Sequence, residues 1–235
     1  MDLNINMVED VNNIFRLPIT TEVSNTDFLA RSKSLVLLDF DNSLVPSDFI
    51  KDNLDGIKSP SEIRDTHKHL FDSCESNSLK LLKTLVESPN NYVFIVTNAK
   101  MSWVQYVLDS YFLELGPYIY KHVQVISARD LAHSEDNDIT FSKSVLWKLN
   151  VFMKLTQLLR DKHHGRIQIV SIGDSWSERA ALMKMKDLYS AVGRILTKSI
   201  KINGTDPAMM IEQLGVLNTF ITDLLNCEEH IDAEM

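Results

Sequence analysis

The sequence predicts an α/β fold, with a parallel sheet of about five strands and helices on both faces. Runs with almost no polar residues recur along the chain, as in strands that are covered on both sides. Segments with apolar residues at helical spacing separate these runs. The runs lie about 30 to 45 residues apart, which leaves room for the right-handed helical crossovers that join parallel strands.

Each element has its own pattern. The predicted strands are 35–39, 92–96, 123–126, 166–172 and one within 189–196. Apolar stripes predict helices over 79–86, 101–112, 145–159, 177–186 and 210–224. In contrast, the segment 45–76 has weak periodicity and several turn signals, and it leaves room only for a small flap.

Length and composition indicate one soluble globular domain. The chain has 235 residues, 44% hydrophobic and 24% charged, and a net charge of -8 that argues against nucleic-acid binding. No apolar run approaches the roughly 18 to 20 residues that span a bilayer, so no membrane contact is expected. The beginning of the chain is acidic and lacks the basic region of a signal peptide, which favours the cytoplasm and leaves the nucleus open. Cys74 and Cys227 are too few for a disulfide framework.

The domain organisation is predicted in three parts. Residues 1–33 are polar and form an N-terminal extension, residues 34–226 form the single domain, and residues 227–235 form an acidic tail. Two further predictions concern single residues. Trp103 falls on an apolar helical stripe and is expected in the core, whereas Lys198 and the pair His163-His164 are expected on the solvated surface.

Polar side chains follow three of the predicted strands at the point where each ends. They are Asp39 and Asp41 after the first strand, Thr97 and Asn98 after the second, and Asp174 and Glu178 after the fourth. Because the carboxyl ends of parallel strands meet at one edge of a sheet, these side chains are expected to converge on one pocket. Side chains alternate along a strand, so Asp39 and Asp41 point to the same side, where two carboxylates repel unless a proton or cation separates them.

In order, these segments resemble the motifs of the haloacid dehalogenase-like phosphohydrolases. The first motif is similar to the run 35–44, LVLLDFDNSL, with Ser43 in place of the more usual Thr. The second is similar to 93–98, VFIVTN, and the fourth to 171–179, SIGDSWSER. The third is a single lysine near the start of the preceding helix, for which Lys148 is preferred and Lys143 is the alternative. The resemblance covers about residues 34–200 and extends to eukaryotic members without a defined substrate.

The resemblance implies a Rossmann-like fold of this superfamily and a phosphatase that works through an aspartyl phosphate. Asp39 would be the nucleophile, and Mg²⁺ would be held by Asp39, the backbone carbonyl of Asp41 and Asp174. An all-oxygen set of this kind suits that cation. Asp41 would protonate the leaving oxygen and then deprotonate the attacking water. Aspartate at this position is similar to the phosphatase branch of the family, because ion-pumping members carry Thr there.

The remaining motif residues would act on the phosphate and its surroundings. Thr97 and Asn98 would bind phosphate oxygens, and Lys148 would neutralise charge on the phosphoryl group and on Asp39. Glu178 would accept from a metal-bound water or orient the lysine. The intervals between the motifs leave no room for a large cap, so the resemblance implies an open site and a phosphoprotein or a small phosphate ester as substrate.

Two other functions compete with this one. A catalytically weak or inactive binding module of the same fold is favoured by the departures at Ser43 and Glu178. A response-regulator-like receiver also uses an aspartate, a hydroxyl residue and a lysine around Mg²⁺, but its acidic pair comes first and its phosphoacceptor ends a later strand. The order of residues in this chain therefore does not fit a receiver.

Overall fold

The computed structural model describes residues 32–54, 59–132, 140–189, 195–204 and 206–235. The predicted N-terminal extension, apart from its last two residues, lies outside the described part of the chain. Within the described residues, no helix is both long enough and apolar enough to cross a bilayer.

In the described part of the chain, six parallel strands form one sheet and confirm the predicted α/β fold class. They are β1 (Lys33–Leu38), β2 (Asn91–Thr97), β3 (Gln124–Ser127), β4 (Ile167–Gly173), β5 (Ile195–Lys201) and β6 (Ile231–Glu234). Their order across the sheet is β3-β2-β1-β4-β5-β6. The chain therefore builds outward from β1 to β3, returns, and continues on the other side of β1 with β4. The direction of winding changes between β1 and β4, where open parallel sheets have their binding crevice.

The helices cover both faces of this sheet. They are α1 (Ser47–Leu54), α2 (Pro60–Thr66), α3 (Lys68–Val86), α4 (Met101–Tyr111), α5 (Leu115–His122), α6 (Ala128–Leu131), α7 (Phe141–Lys162), α8 (Trp176–Tyr189) and α9 (Pro207–Asn226). The segment that the sequence leaves as a small flap, 45–76, contains α1, α2 and the beginning of α3. Its weak periodicity reflects two helices of only two turns each, which are too short to display a stripe.

The two faces of the sheet form two separate cores, which follows from the alternation of side chains along a strand. Val36 and Leu38 of β1 pack into a core with α3, α4, α5 and α9. Leu35 and Leu37 point the other way, into a core with α7 and α8. Residue 39 continues the second series, so the side chain of Asp39 is directed towards α7 and α8.

Within the predicted acidic tail, 227–235, residues 231–234 form strand β6. This strand pairs in parallel with β5, with Ile231 opposite Lys198 and Glu234 opposite Lys201. Its two acids are held by cations, since Arg179 contacts Asp232 at 2.7 Å and Lys201 contacts Glu234 at 2.9 Å. The local sequence shows that the tail is acidic. It does not show the strand and the cations with which the tail pairs, because these belong to other elements.

Two residues predicted on the solvated surface are instead buried. Lys198 is fully buried, and its ammonium donates to the backbone carbonyl oxygens of Leu224, Leu225 and Cys227. These carbonyls close the C-terminal end of α9, where a cation is favourable. His163 is only 5% exposed, so its burial corrects the expectation for the pair 163–164.

Candidate active site

A cleft of about 440 Å³ lies at the carboxyl ends of β1, β2 and β4. All seven residues that the sequence singles out line it: Asp39, Asp41, Thr97, Asn98, Lys148, Asp174 and Glu178. Their convergence follows from the parallel sheet, because each of the three strands delivers its last residues to the same edge. The position of these residues is therefore a property of the fold.

Lys148 forms the centre of the site. Its ammonium donates to Asp39 Oδ1 at 2.7 Å and also to Glu178 Oε1, and all three side chains are buried. Lys148 sits on the buried stripe of α7 together with Val145 and Phe152, where an apolar residue would be expected. Of the two lysines considered from the sequence, Lys148 is therefore the one that reaches the site. Lys143 lies in the first turn of α7 and does not line the cleft.

Glu178 is fixed on every side. Its Oε1 also accepts from Ser177 Oγ at 2.8 Å, and its Oε2 accepts from the backbone N–H of Ser175 at 2.9 Å. Because it sits in the first turn of α8, its charge is also favoured by the positive end of that helix. A carboxylate with this many donors is well placed to orient Lys148.

Gly173 makes the close approach of these side chains possible. A Cβ at this position would lie 2.8 Å from Glu178 Cγ and 3.1 Å from Asp39 Cβ. Real side chains do not pack at the first of these distances, so a larger residue would push Glu178 or Asp39 out of place. The glycine before Asp174 is thus required by packing across the site.

Ser43 connects the first motif to Asp174. Its Oγ accepts from the backbone N–H of Asp174 at 3.0 Å and lies 3.4 Å from Asp174 Oδ1. The hydroxyl thereby links the loop after β1 to the loop after β4. Serine and threonine both supply a hydroxyl at this position, so Ser43 in place of the more usual Thr keeps the contact between the two loops.

The turn between Asp39 and Ser43 has an unusual backbone at Asn42, whose φ is 52°. Asparagine tolerates this left-handed region better than most residues. Its side chain also ties the turn to α1, accepting from the backbone N–H of Asp48 at 3.0 Å and donating to Asp48 Oδ2 at 2.7 Å. The loop that carries both catalytic candidates is thus anchored to the first helix.

Three carboxylates lie around Lys148. Asp39, Asp174 and Glu178 each offer an oxygen within 4.8 Å of the others. If all three are ionised, one ammonium leaves two negative charges uncompensated. Burial and the nearby Glu178 raise the pKa of Asp174 to about 6. An all-oxygen group that retains excess negative charge is the donor set that suits a hard divalent cation such as Mg²⁺.

The charges of Asp39 and Lys148 respond to this environment in different ways. Burial raises the pKa of Asp39 well above its ordinary value, against the opposing effect of Lys148. The neighbouring carboxylates add to that rise. Burial alone would lower the pKa of Lys148, but the attraction of Asp39 and Glu178 outweighs it and raises the pKa. Lys148 therefore stays protonated, and its one positive charge has to balance several neighbouring carboxylates.

Asp41 is held apart from this cluster by three hydroxyl or indole donors. Its Oδ1 accepts from Trp103 Nε1 at 2.9 Å and from Ser47 Oγ, and its Oδ2 accepts from Thr97 Oγ1 at 3.3 Å. The expectation that Trp103 belongs to the core is thus incomplete. Its ring packs partly against the core, but its N–H reaches the cleft and contacts Asp41. The apolar helical stripe predicts the packing of the ring, but it gives no sign of the hydrogen bond that the indole N–H donates.

The two predicted phosphate ligands already have protein partners. Besides donating to Asp41, the Thr97 hydroxyl accepts from the backbone N–H of Ala99 at 3.0 Å. The Asn98 amide donates to Ser144 Oγ at 2.6 Å, which joins the end of β2 to α7. Both side chains line the cleft, and either would have to exchange a partner in order to donate to a phosphate.

Cations line the outer part of the cleft. Lys51 of α1 and Lys100, just before α4, are exposed there, and Arg129 of α6 is largely buried. The Lys51 ammonium lies 5.5 Å from the centre of the Trp103 ring, a cation–π distance. None of these three residues was singled out from the sequence, because single basic residues in weakly periodic segments give no pattern.

Comparisons with known proteins add little. No family model matches the sequence, and no curated protein matches it. Among solved structures, the chain is similar to the trehalose-6-phosphate phosphatase of Aspergillus fumigatus, with 12% identity and a TM-score of 0.33. The alignment covers 80% of this chain and 93% of that chain. A similarity this low does not reveal a function, which has to be inferred from the strand order and the contacts within the cleft.

Proposed function

We propose that this protein is a Mg²⁺-dependent phosphomonoester hydrolase that works through an aspartyl phosphate on Asp39. The observation that carries the proposal is the contact between Lys148 and Asp39 inside a cluster of three buried or half-buried carboxylates. A phosphate monoester repels an anionic nucleophile, so a site for it must combine a carboxylate with fixed positive charge. The cluster supplies both, since Asp39 follows β1 and Lys148 reaches it from α7.

The carboxylates Asp39 and Asp174, together with the backbone carbonyl of Asp41, would hold the cation. Glu178 is less suited as a ligand, because both of its oxygens already accept hydrogen bonds. When bound, Mg²⁺ would compensate the negative charge that Lys148 leaves over and would stabilise charge on the phosphoryl group. This role agrees with the raised pKa of Asp174, which results from its burial and from the neighbouring charge of Glu178.

The chemistry of the chain's own residues has two steps. Asp39 attacks phosphorus, the bond from phosphorus to the ester oxygen breaks, and Asp41 gives its proton to the departing alcohol. Water then attacks the same phosphorus and loses its proton to Asp41, which releases phosphate and regenerates Asp39. Lys148 holds one oxygen of Asp39, which orients the other towards the substrate.

The substrate is proposed to be a phosphoprotein or a small phosphate ester. The cleft is open to solvent, and its outer part is lined by Lys51, Lys100 and Arg129, which favour an anionic ligand. Within the described residues, the interval after the first motif holds only the short helices α1 and α2 before α3 begins. A cleft of this kind is accessible to a phosphorylated side chain.

A catalytically weak or inactive binding module remains a second candidate, favoured by one specific observation. Thr97 and Asn98 are both engaged, with Asp41 and with Ser144 respectively. A phosphate would have to displace these contacts, which weakens its binding and slows turnover. Such a module would still bind Mg²⁺ through Asp39 and Asp174.

Release of phosphate from p-nitrophenyl phosphate, with and without Mg²⁺, distinguishes the two candidates. The hydrolase is expected to turn over with Mg²⁺, to lose activity in EDTA and to regain it when the metal is restored. Asp174→Asn should raise the Mg²⁺ concentration needed for turnover, whereas Asp161→Asn, on the exposed side of α7, should leave it unchanged. Undiminished turnover after thorough chelation would contradict the metal assignment. Stabilisation by Mg²⁺ without any turnover would favour the binding module.

A further inference from the structure

One oxygen of Asp41 is held by donors from two different helices. Trp103 Nε1, in the first turn of α4, donates to Oδ1 at 2.9 Å, and Ser47 Oγ, at the start of α1, donates to the same atom. Ser47 is fully buried, so its hydroxyl is directed at Asp41 by the packing around it. The carboxylate is therefore fixed from two sides.

The two donors are themselves connected. Lys51, one turn after Ser47 on α1, lies over the ring of Trp103 at 5.5 Å from its centre. The Lys51 ammonium also contacts Asp48 Oδ1 at 3.0 Å. As a result, α1 and α4 are linked at the cleft in two ways: by the cation–π contact between Lys51 and Trp103, and by the carboxylate of Asp41, which accepts from both helices. A shift of either helix would move the carboxylate of Asp41.

From this geometry we propose that Trp103 is a positioning residue, which together with Ser47 orients Asp41 for proton transfer to the leaving group. The proposal rests on the proposed function, in which Asp41 is the general acid and base. A phenylalanine would keep an aromatic ring against the core, but only the indole N–H of tryptophan donates to Oδ1. With Oδ1 held by the two helices, Oδ2 is the oxygen that remains for the substrate once Thr97 turns towards a phosphate.

The consequence is a dependence on the leaving group. A misplaced acid penalises esters whose alcohol must be protonated as it leaves, and it hardly affects esters whose alcohol leaves as a stable anion. Phenyl phosphate belongs to the first kind and p-nitrophenyl phosphate to the second. The ratio kcat/KM covers binding and the first chemical step only, so it isolates the protonation of the leaving group.

The first experiment therefore compares kcat/KM for the two esters in Trp103→Phe. The variant is expected to lose about 10-fold on phenyl phosphate and less than about 3-fold on p-nitrophenyl phosphate. Ser47→Ala removes the other donor without changing the core ring and should show the same selective loss. Trp176→Phe is the matched control, because Trp176 is exposed and lies against Arg179 and Lys201. Equal losses on both esters in Trp103→Phe would overturn the proposal.

A double-variant comparison tests whether Trp103 acts through Asp41. In an Asp41→Asn background, Trp103→Phe should cause almost no further loss, since residue 41 can no longer transfer a proton to the leaving group. Losses that multiply would show that Trp103 affects the reaction by another route. Both single variants must show the wild-type circular dichroism and melting temperature, and Ser47→Ala provides a second test if Trp103→Phe does not fold.

A spectroscopic readout is independent of turnover. The indole N–H resonance of Trp103 should move when Asp41→Ala removes its acceptor, while the resonances of Trp147 and Trp176 stay in place. An unmoved Trp103 resonance would overturn the contact and with it the proposal. If the wild type hydrolyses neither ester, the proposed function fails, and a shifted resonance then supports the positioning contact by itself.

Discussion

At the scale of single residues, the site depends on a balance between three carboxylates and one lysine. Asp39, Asp174 and Glu178 lie within 4.8 Å of one another around Lys148. Buried charges are tolerated only when they are compensated, and here the compensation is incomplete without a cation. The arrangement that suits phosphoryl transfer is therefore one that destabilises the metal-free protein.

Asp39→Asn should abolish turnover and at the same time stabilise the metal-free fold. The amide cannot attack phosphorus, and loss of a nucleophile typically costs about 10³-fold or more in kcat. The same change removes a charge whose burial raises its pKa, so the melting temperature without metal should rise. Steady-state kinetics and thermal melting measure the two effects. A variant that kept a tenth of wild-type activity would require a different nucleophile.

Lys148→Met should destabilise the metal-free protein by about 3 kcal/mol at neutral pH, because it leaves buried carboxylates without their counter-charge. Urea unfolding measures this loss. Lys143→Met, in the first turn of the same helix, should change the free energy of unfolding by less than about 0.5 kcal/mol. A larger effect at Lys143 than at Lys148 would contradict the assignment of the motif lysine.

Asp174 makes the stability of the metal-free protein depend on pH. Its pKa rises from the ordinary value of 3.8 to about 6 in the folded chain. The folded state therefore favours the protonated form of Asp174, which adds to the free energy of unfolding. This stabilisation is fully present below about pH 4 and is lost as the pH rises through about 6. Urea unfolding of the metal-free protein should show this decline between about pH 4 and 7, and Asp174→Asn should reduce it. An equal slope in the variant would show that another group titrates.

The residues of the first and fourth motifs could be predicted because they combine two signals. Asp39 and Asp174 follow strands that are rich in apolar residues, and a carboxylate at the end of such a strand is easily recognised. Ser47 and Trp103 lack this contrast, since serine is common at helix starts and tryptophan is common on apolar stripes. Only the folded chain shows that both donate to Asp41.

At the scale of elements, the strands and long helices agree with their patterns, and their ends do not. The apolar stripe predicts a helix over 145–159, whereas the observed helix extends over Phe141–Lys162. The helix begins earlier because the Thr140 side chain accepts a hydrogen bond from the backbone N–H of Lys143. Such caps depend on single side chains and carry no periodicity. The short helix α2 likewise begins with a cap, in which Ser59 and Glu62 exchange hydrogen bonds.

Strand β6 is one of the elements that the local sequence did not reveal, and its removal tests its pairing with β5. Deleting residues 229–235 should uncover the edge of β5 and raise the hydrogen exchange of the β5 amides that face β6. It also leaves Arg179 and Lys201 without their carboxylate partners. Exchange measured by mass spectrometry should rise in β5 and stay unchanged in β2. Unchanged exchange in β5 would contradict the pairing.

At the scale of the whole molecule, the order of strands explains why distant motifs form one site. β1 and β4 are neighbours although more than a hundred residues separate them, so Asp39 and Asp174 end up side by side. The alternation of apolar runs and helices predicts a parallel sheet, but it does not specify which strands are neighbours. That information lies in the packing of the two cores and becomes visible only in the folded chain.

The central claim is that Asp39 carries the phosphoryl group during turnover. Asp41→Asn retains Asp39 and Lys148, so the aspartyl phosphate can still form from p-nitrophenyl phosphate, whose alcohol needs little protonation. Its hydrolysis should slow by about 10²- to 10⁴-fold, because no base remains to activate water. Mass spectrometry of the rapidly quenched and digested variant should therefore find a phosphorylated peptide with the adduct on Asp39. An adduct on Asp174 or on Ser43 would contradict the claim.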